Sequence, residues 1–445
     1  MKVHFNEAAG RVKPMHATNN GPSFFMDKLK KYGQGGNLEY FKEAGIPYAR
    51  THDSSYWYIY GSEHTIDITA IFPRFDADET DPANYDFTCT DHYLQCCEMA
   101  GTKVFYRLGQ RIEHEVKKYG TLPPKDFHKW ARICEHIIRH YNEGWADGFH
   151  YGIEYWEIWN EPDLDSDDAA NKRCWGGTRE EFFEFYHVAA THLKGCFPHL
   201  KIGGPAIAGD MEWAEAFLKQ LKAPLDFFSW HRYACVIEKM TTRAQEVRAL
   251  LDRYGFEKTE SILNEWNYVL GWNGEEMIYS TYAKHRLKGA SFTLAAMLAC
   301  QNAAVDLLMY YDARPTIGWN GMFDPYSNLP LKGYYPFPIF NALYRLEGNV
   351  QVEAEENVYL AAARSENEAA VAFTHYNNED TTEPKTVTLE LSGFGGENGT
   401  ALEVYLLDEN NDLEKVQTLT FFGERFIFEN KVPNFSCYLL KLKKL

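Results

Sequence analysis

The chain has no apolar run long enough to cross a bilayer: its longest, near residues 290–300, falls well short of the ~20 residues a helical span requires. It also lacks an excess of positive charge. With 45 Lys and Arg against 63 Asp and Glu, the formal charge is −18, a balance that repels phosphate backbones and anionic bilayers. Neither nucleic acid nor a membrane is therefore an expected partner. The opening MKVHFNEAAG has no apolar signal core, so the expectation is a cytoplasmic chain if the sequence is full length, and a secreted or periplasmic one if a signal was trimmed. The nine Cys are scattered singles apart from Cys96-Cys97, without CxxC or framework spacing, which points to reduced, buried thiols. No GxGxxG follows the first β-type run, against a dinucleotide-binding fold. EHIIRH sets His136 and His140 at i, i+4 but lacks the Glu of HExxH; the pair reads as one face of an amphipathic helix, and no metal is expected there.

What is present is length and aromatic side chains. At 445 residues the chain exceeds one small core, and a barrel of roughly 250 residues or more with a smaller module fits it. Aromatic residues make up 16%, most of them explicable as core, but in an abundance that suits the handling of flat apolar faces such as sugar rings.

From about residue 12 to residue 346, short β-type runs alternate with helical ones: KPMHATN, IPYARTHD, TKVFYRLG, IEYWEIWNE, KIGGPAIAG, DFFSWHRY, SILNEWNY and VDLLMYYDAR. Right-handed βαβ units repeated about eight times predict an α/β fold, a closed (β/α)8 TIM barrel over 12–346. Between the runs, residues 123–141 carry apolar residues at three- and four-residue spacing, and Thr178 with Glu181 forms a capping-box pattern. After Leu346 the pattern becomes short alternating runs between turn-rich links, which predicts a C-terminal antiparallel β-sandwich of about seven strands over 347–445. Residues 1–11 are a candidate additional strand of that sandwich.

The stretch YWEIWNEPD places Asn160 and Glu161 after an apolar fourth run, and SILNEWNY places Glu265 at the end of the seventh. Strand C-terminal ends converge on the functional face of such a barrel, so two acids 104 residues apart are expected across one mouth. Singly, each could be an unrelated strand-end acid; together, flanked by Trp and Asn, they match the equipment for glycoside hydrolysis, one carboxyl protonated and one ionised. Trp156, Trp159, Trp230 and Trp266 could raise one pKa, while Arg50, His231 and Tyr233 could keep the other group ionised. Glu157 shares strand parity with Glu161 and is expected lower in the barrel, in a structural hydrogen bond; Asn160 has the opposite parity and reaches the mouth only if the strand end departs from regular geometry. Gln110 and Asp312 are further candidate hydroxyl partners.

At these residues the sequence resembles glycoside hydrolase family 39, in clan A of the retaining glycosidases. IWNEP and NEW look like its acid/base and nucleophile motifs, and FPRFDADETDPANYDFT, FYRLGQRIEH, SWHRY, GWNGMFDP and the terminal sandwich extend the likeness over most of the chain. The resemblance implies Glu161 as acid/base, Glu265 as nucleophile, Asn160 as donor to the sugar 2-hydroxyl, and His231 and Tyr233 framing the nucleophile. It further implies Arg50 and His52 on the floor, Trp319 and Phe323 as walls, a carbohydrate substrate and no cofactor. YYDAR departs from the β-xylosidase pattern by bringing Asp312 and Arg314 near the mouth, which leaves the sugar open. A β-xylosidase-like exo-enzyme on a neutral pyranoside is the leading reading; α-L-iduronidase-like, β-galactosidase-like and endo-acting enzymes, and a non-catalytic carbohydrate-binding protein, are the alternatives. A homo-oligomer is neither required nor excluded by the sequence.

Overall fold

The computed structural model describes residues 1–23, 36–53, 64–381 and 383–445. Eight parallel strands, β2 (Ala17–Asn19), β3 (Tyr48–Thr51), β4 (Lys103–Leu108), β5 (Tyr155–Ile158), β6 (Lys201–Ile207), β7 (Phe227–His231), β8 (Glu260–Trp266) and β9 (Leu307–Tyr310), close into a barrel in sequence order. They fall on the eight β-type runs of the sequence. Ala17, Phe105, Tyr155, Phe227, Ile262, Leu307 and Met309 form one buried cluster inside the lower barrel. Higher on five of the strands the filling turns polar: Asn19, Arg50, Glu157, Ser229 and Asn264 are all buried.

The outer helices form where periodicity and caps coincide. In Phe127–Glu143, Asp126 accepts from the Lys129 amide, Gly144 closes the end at φ 77, and Trp130, Ala131, Cys134, Ile137, Ile138 and Tyr141 are buried. His140 is buried on this helix, its Nδ1 bonded to the Trp145 carbonyl and its Nε2 paired with Asp91, while His136 bonds the Arg132 carbonyl, so both rings serve local structure. The helix Arg179–Cys196 has both halves of the Thr178/Glu181 capping box.

The second body is a nine-stranded sheet folded over its own core, with Val3, Phe5, Val371, Phe373 and Leu440 among the buried residues. Eight strands come from the C-terminal part: β10 (Gly348–Glu353), β11 (Val358–Arg364), β12 (Glu368–His375), β13 (Lys385–Ser392), β14 (Thr400–Leu407), β15 (Asp412–Phe421), β16 (Arg425–Val432) and β17 (Cys437–Lys444). The ninth is β1 (Lys2–Arg11), antiparallel to β10 and parallel to β13. The expectation of about seven C-terminal strands missed β10, because only Asn349 and Val350 of GNVQVE are buried and its apolar signal is weak.

The apolar run near residues 290–300 lies in the helix Leu287–Gln301, which is buried on nearly every side between barrel and sandwich. Among the described residues, no helix is long and apolar enough to cross a membrane. Phe292 from this helix meets Trp266 and Tyr268 of the barrel and Tyr376 beside β12, with ring centroids 5.5–6.3 Å apart. Phe292→Ala should cost about 3–5 kcal/mol, since both bodies lose packing around one cavity. Urea denaturation read by far-UV dichroism and Trp fluorescence checks this, with both probes expected to move in one transition; a loss below about 1 kcal/mol would show that the ring does not couple the bodies.

Candidate active site

Glu161 reaches the mouth because β5 stops at Ile158 and the chain leaves regular geometry. Trp159 adopts φ 75 and Glu161 φ 47, left-handed conformations that cost non-glycine residues about 1–3 kcal/mol each. Backbone bonds from Trp159 N to Leu108 O (2.7 Å) and from Glu161 N to Ala206 O (2.8 Å) hold the turn between neighbouring strands. This turn, rather than a twist of the strand, removes the parity conflict between Asn160 and Glu161. Asp163 fastens the same loop, accepting from the amides of Ala208, Gly209 and Asp210. Burial lifts its pKa to about 6 despite those amide bonds.

Glu265 sits at the centre of a buried cage. Its Oε1 accepts from Arg50 Nη1 at 2.7 Å and lies 3.2 Å from His52 Nε2; its Oε2 accepts from Tyr233 Oη at 2.9 Å. Burial opposes its charge, but His231, His52 and Arg50 outweigh burial and hold its carboxyl well below the usual carboxylate range. Arg50 is fully buried and spends every arm: Nε to Glu157 (2.6 Å), Nη1 also to Asn19 (3.0 Å), and Nη2 to the Asn160 side-chain oxygen (2.7 Å). Glu157 lies beneath, its other oxygen taken by Ser229 (2.6 Å) and Asn264 (2.5 Å). His231 Nδ1 stands between the two acids, 2.7 Å from Glu161 Oε1 and 3.4 Å from Glu265 Oε2. One ligand atom from each of Glu161, His231 and Glu265 lies within 4.8 Å of the others. The spacing could admit a cation, but Arg50 and Tyr233 already aim donors at Glu265.

His52 is tied to Asp53 (3.2 Å) as well as to Glu265. Burial would lower its pKa, but the two carboxylates raise it to about 9. Asp312 is fully buried, and its oxygens accept from Arg314 Nε (2.8 Å), the Arg314 amide (3.2 Å) and Asn20 (3.2 Å). Its carboxylate is thus engaged by protein donors before any sugar arrives. Trp319 stands against Tyr233 and Tyr311, centroids 5.2 and 5.8 Å away, and Asn267 holds the Trp319 and Tyr311 carbonyls. Phe323 requires a correction: it is 0% exposed and packs against Phe41, Tyr40 and Tyr334, so it belongs to the core and not to a sugar-facing wall. Gln110 accepts from Thr69 Oγ1 at 2.9 Å and lies against Gly120, where an added Cβ would come within 2.4 Å of its amide oxygen; this ties it to the loops after β3 and β4.

Several neighbours escaped the sequence reading. Asp53 and Tyr311 stood inside quoted runs, THD and MYYDAR, beside residues that were chosen. Asn19 likewise ends the quoted run KPMHATN, whereas Trp272 and Lys284 lie outside every such run and reach Tyr233 and Trp319 only through chain closure. A second cluster, Glu135, His192 and Cys196, lies on the barrel's outer helices, where Arg139 also binds Glu135.

Three kinds of comparison agree with this architecture. In the curated proteins, a β-xylosidase of Geobacillus stearothermophilus is 29% identical over 194 residues, covering 40% of this chain and 36% of that protein. Another β-xylosidase, of Caldicellulosiruptor saccharolyticus, is 33% identical over 125 residues, covering 26% and 23%. The matches therefore span well under two thirds of either relative's length. Among solved structures, a glucosidase from Croceicoccus marinus superposes with a TM-score of 0.81 at 22% identity, covering 100% of this chain and 98% of that one. A family 39 enzyme from Xanthomonas axonopodis pv. citri gives 0.73 at 16%, with 100% and 97% covered. At these identities the superpositions show the fold. The model of glycosyl hydrolases family 39 matches residues 3–277, well over half of the chain, and the chain belongs to that family.

Proposed function

We propose that this chain is a retaining glycosidase that removes a neutral pyranoside, xylose-like first, from chain ends, with Glu161 as acid/base and Glu265 as nucleophile. The observation that carries the reading is the paired geometry of the two acids around His231. One oxygen of each lies within 4.8 Å of the other, and His231 Nδ1 is 2.7 and 3.4 Å from the two acids, a proximity that suits a retaining pair. The β-xylosidase relatives support a xylose-like sugar.

The roles follow from the surroundings. Glu265 accepts donors on both oxygens and stays ionised, ready to attack the anomeric carbon as the glycosidic bond breaks. Glu161 gives its proton to the departing oxygen, then takes one from the water that cleaves the glycosyl-enzyme. A proton on His231 Nδ1 can bond the Glu161 carboxylate between those steps. Because Arg50 occupies the Asn160 oxygen, the Asn160 amide nitrogen is left to donate to the sugar 2-hydroxyl. The cations Arg50 and Arg314 are matched by carboxylates, which favours a neutral sugar over a uronate.

Glu265→Ala should lose nearly all turnover whatever the leaving group, whereas Glu161→Ala should spare substrates with acidic phenols and be rescued by azide. The first-formed product, read by NMR, should retain its anomeric configuration. Equal losses on good and poor leaving groups, or inversion, overturn the assignment.

The sugar is tested by kcat/KM for aryl β-xyloside, β-glucoside, β-galactoside, α-L-arabinopyranoside, β-glucuronide and α-L-iduronide. A neutral sugar should lead; a uronide ahead by more than about tenfold, roughly 1.4 kcal/mol, sinks the neutral reading.

His52 gives a pH prediction. Its pKa in the folded chain, about 9, exceeds the ordinary 6.5, so its charge stabilises the fold fully below about pH 6.5, and that contribution disappears as pH rises through about 9. The stability gap between wild type and His52→Asn should therefore shrink from pH 6.5 to 9 in urea titrations. Parallel profiles across that window would show that His52 is not held charged beside Glu265.

A further inference from the structure

The loop after β8 sets an indole on the rim of the site. Trp272 is 57% exposed, and among the described residues no other tryptophan is as open to solvent. Its ring centre lies 5.3 Å from that of Tyr233, edge to face, and 5.8 Å from that of Trp319. Tyr233 in turn donates to Glu265, so the indole is one ring removed from the nucleophile candidate. The loop beneath it is fixed: Val269 N bonds Ala234 O (3.1 Å), Ala234 N bonds Asn267 O (3.3 Å), and Leu270 N bonds Ser280 Oγ (2.9 Å). An indole on a pinned loop, braced by two neighbouring rings, has little freedom left to lose when something stacks on it.

Two observations say what that is. The bonds to Ala234 tie this loop to the one after β7, so Trp272 stands on the β7 side of Glu265, the side of the ring on which Glu161 also stands after β5. A leaving group departs toward the acid that protonates it. In cleavage from chain ends the reacting sugar lies among Glu265, Tyr233 and Trp319, and the part of the substrate that extends past these rings to the rim is the leaving group. The second observation is charge: Glu276 packs against Gly271, next to the indole, and its carboxylate disfavours an anionic ring there. A neutral ring with a flat apolar face, sugar or aryl, suits an indole face.

We propose that Trp272 is a specificity-determining residue of the leaving-group site, on which a neutral sugar or aryl ring of the departing group stacks. The proposal rests on the glycosidase reading above. Its test compares β-D-xylosyl fluoride, whose leaving group has no ring, with 4-nitrophenyl β-D-xyloside and β-1,4-xylobiose, which carry the same sugar and a ring beyond it. Wild type, Trp272→Ala and Trp272→Phe are measured on each; if another pyranoside leads the panel, its own fluoride, 4-nitrophenyl glycoside and disaccharide are used. Trp272→Ala should lower kcat/KM about tenfold on the ring-bearing substrates and stay within about twofold of wild type on the fluoride. Trp272→Phe restores a flat face and should recover most of the loss. A loss on the disaccharide identifies a sugar as the ring that stacks, and a loss confined to the 4-nitrophenyl glycoside identifies an aryl group. Equal losses on all substrates mean that the indole acts through Tyr233 or the fold and overturn the proposal, as does no loss on any. A wild-type chain that cleaves none of these glycosides sinks the glycosidase reading and this one together; turnover with equal losses sinks only this one.

Discussion

The fully buried guanidinium of Arg50 is the constraint on which the rest of the site depends. It joins Glu157 below, Glu265 and Asn19 at the centre, and Asn160 at the rim, so four barrel strands take their register at the mouth from one planar group. A charge in that position is tolerable only because every arm is paired; removing one partner from such a buried pair typically costs about 3–5 kcal/mol. Lysine, with a single point of charge, could not span these acceptors in one plane. The same group that secures the barrel interior therefore also keeps Glu265 ionised and turns Asn160.

The mouth is assembled by strain and clamps as much as by regular strands. Trp159 and Glu161 hold left-handed backbone because β-bonds from Leu108 and Ala206 and the Asp163 carboxylate fix the loop from three sides. On the facing side, Asn267, two residues after Glu265, binds the carbonyls of Tyr311 and Trp319 and so sets the aromatic wall relative to the nucleophile candidate. Both acids are thus tied to the strand ends next to them. The helix Leu287–Gln301, with the sandwich behind it, packs on the end of β8 from outside, through Phe292 and its contacts with Trp266 and Tyr268.

The sequence by itself determined the periods and the placement of the two acids. Eight alternating β-type runs are enough to predict a closed barrel, because parallel strands with helical crossovers leave few other topologies, and strand-end Glu161 and Glu265 then had to share one mouth. The N-terminal strand β1 was legible from MKVHFNE, whereas β10 was not, since its few buried residues leave hardly any apolar alternation. Only the tertiary structure decided what depends on chain closure. It brought Asp53 to Arg314, Asn19 to Arg50 and Lys284 to Trp319, and it took Phe323 out of the wall by stacking it on Phe41. It also let Asn160 and Glu161, of opposite strand parity, both face the mouth. That outcome rests on two left-handed residues whose cost is met by bonds to neighbouring strands, and a pattern read along one strand contains no information about bonds that exist only after the strands meet.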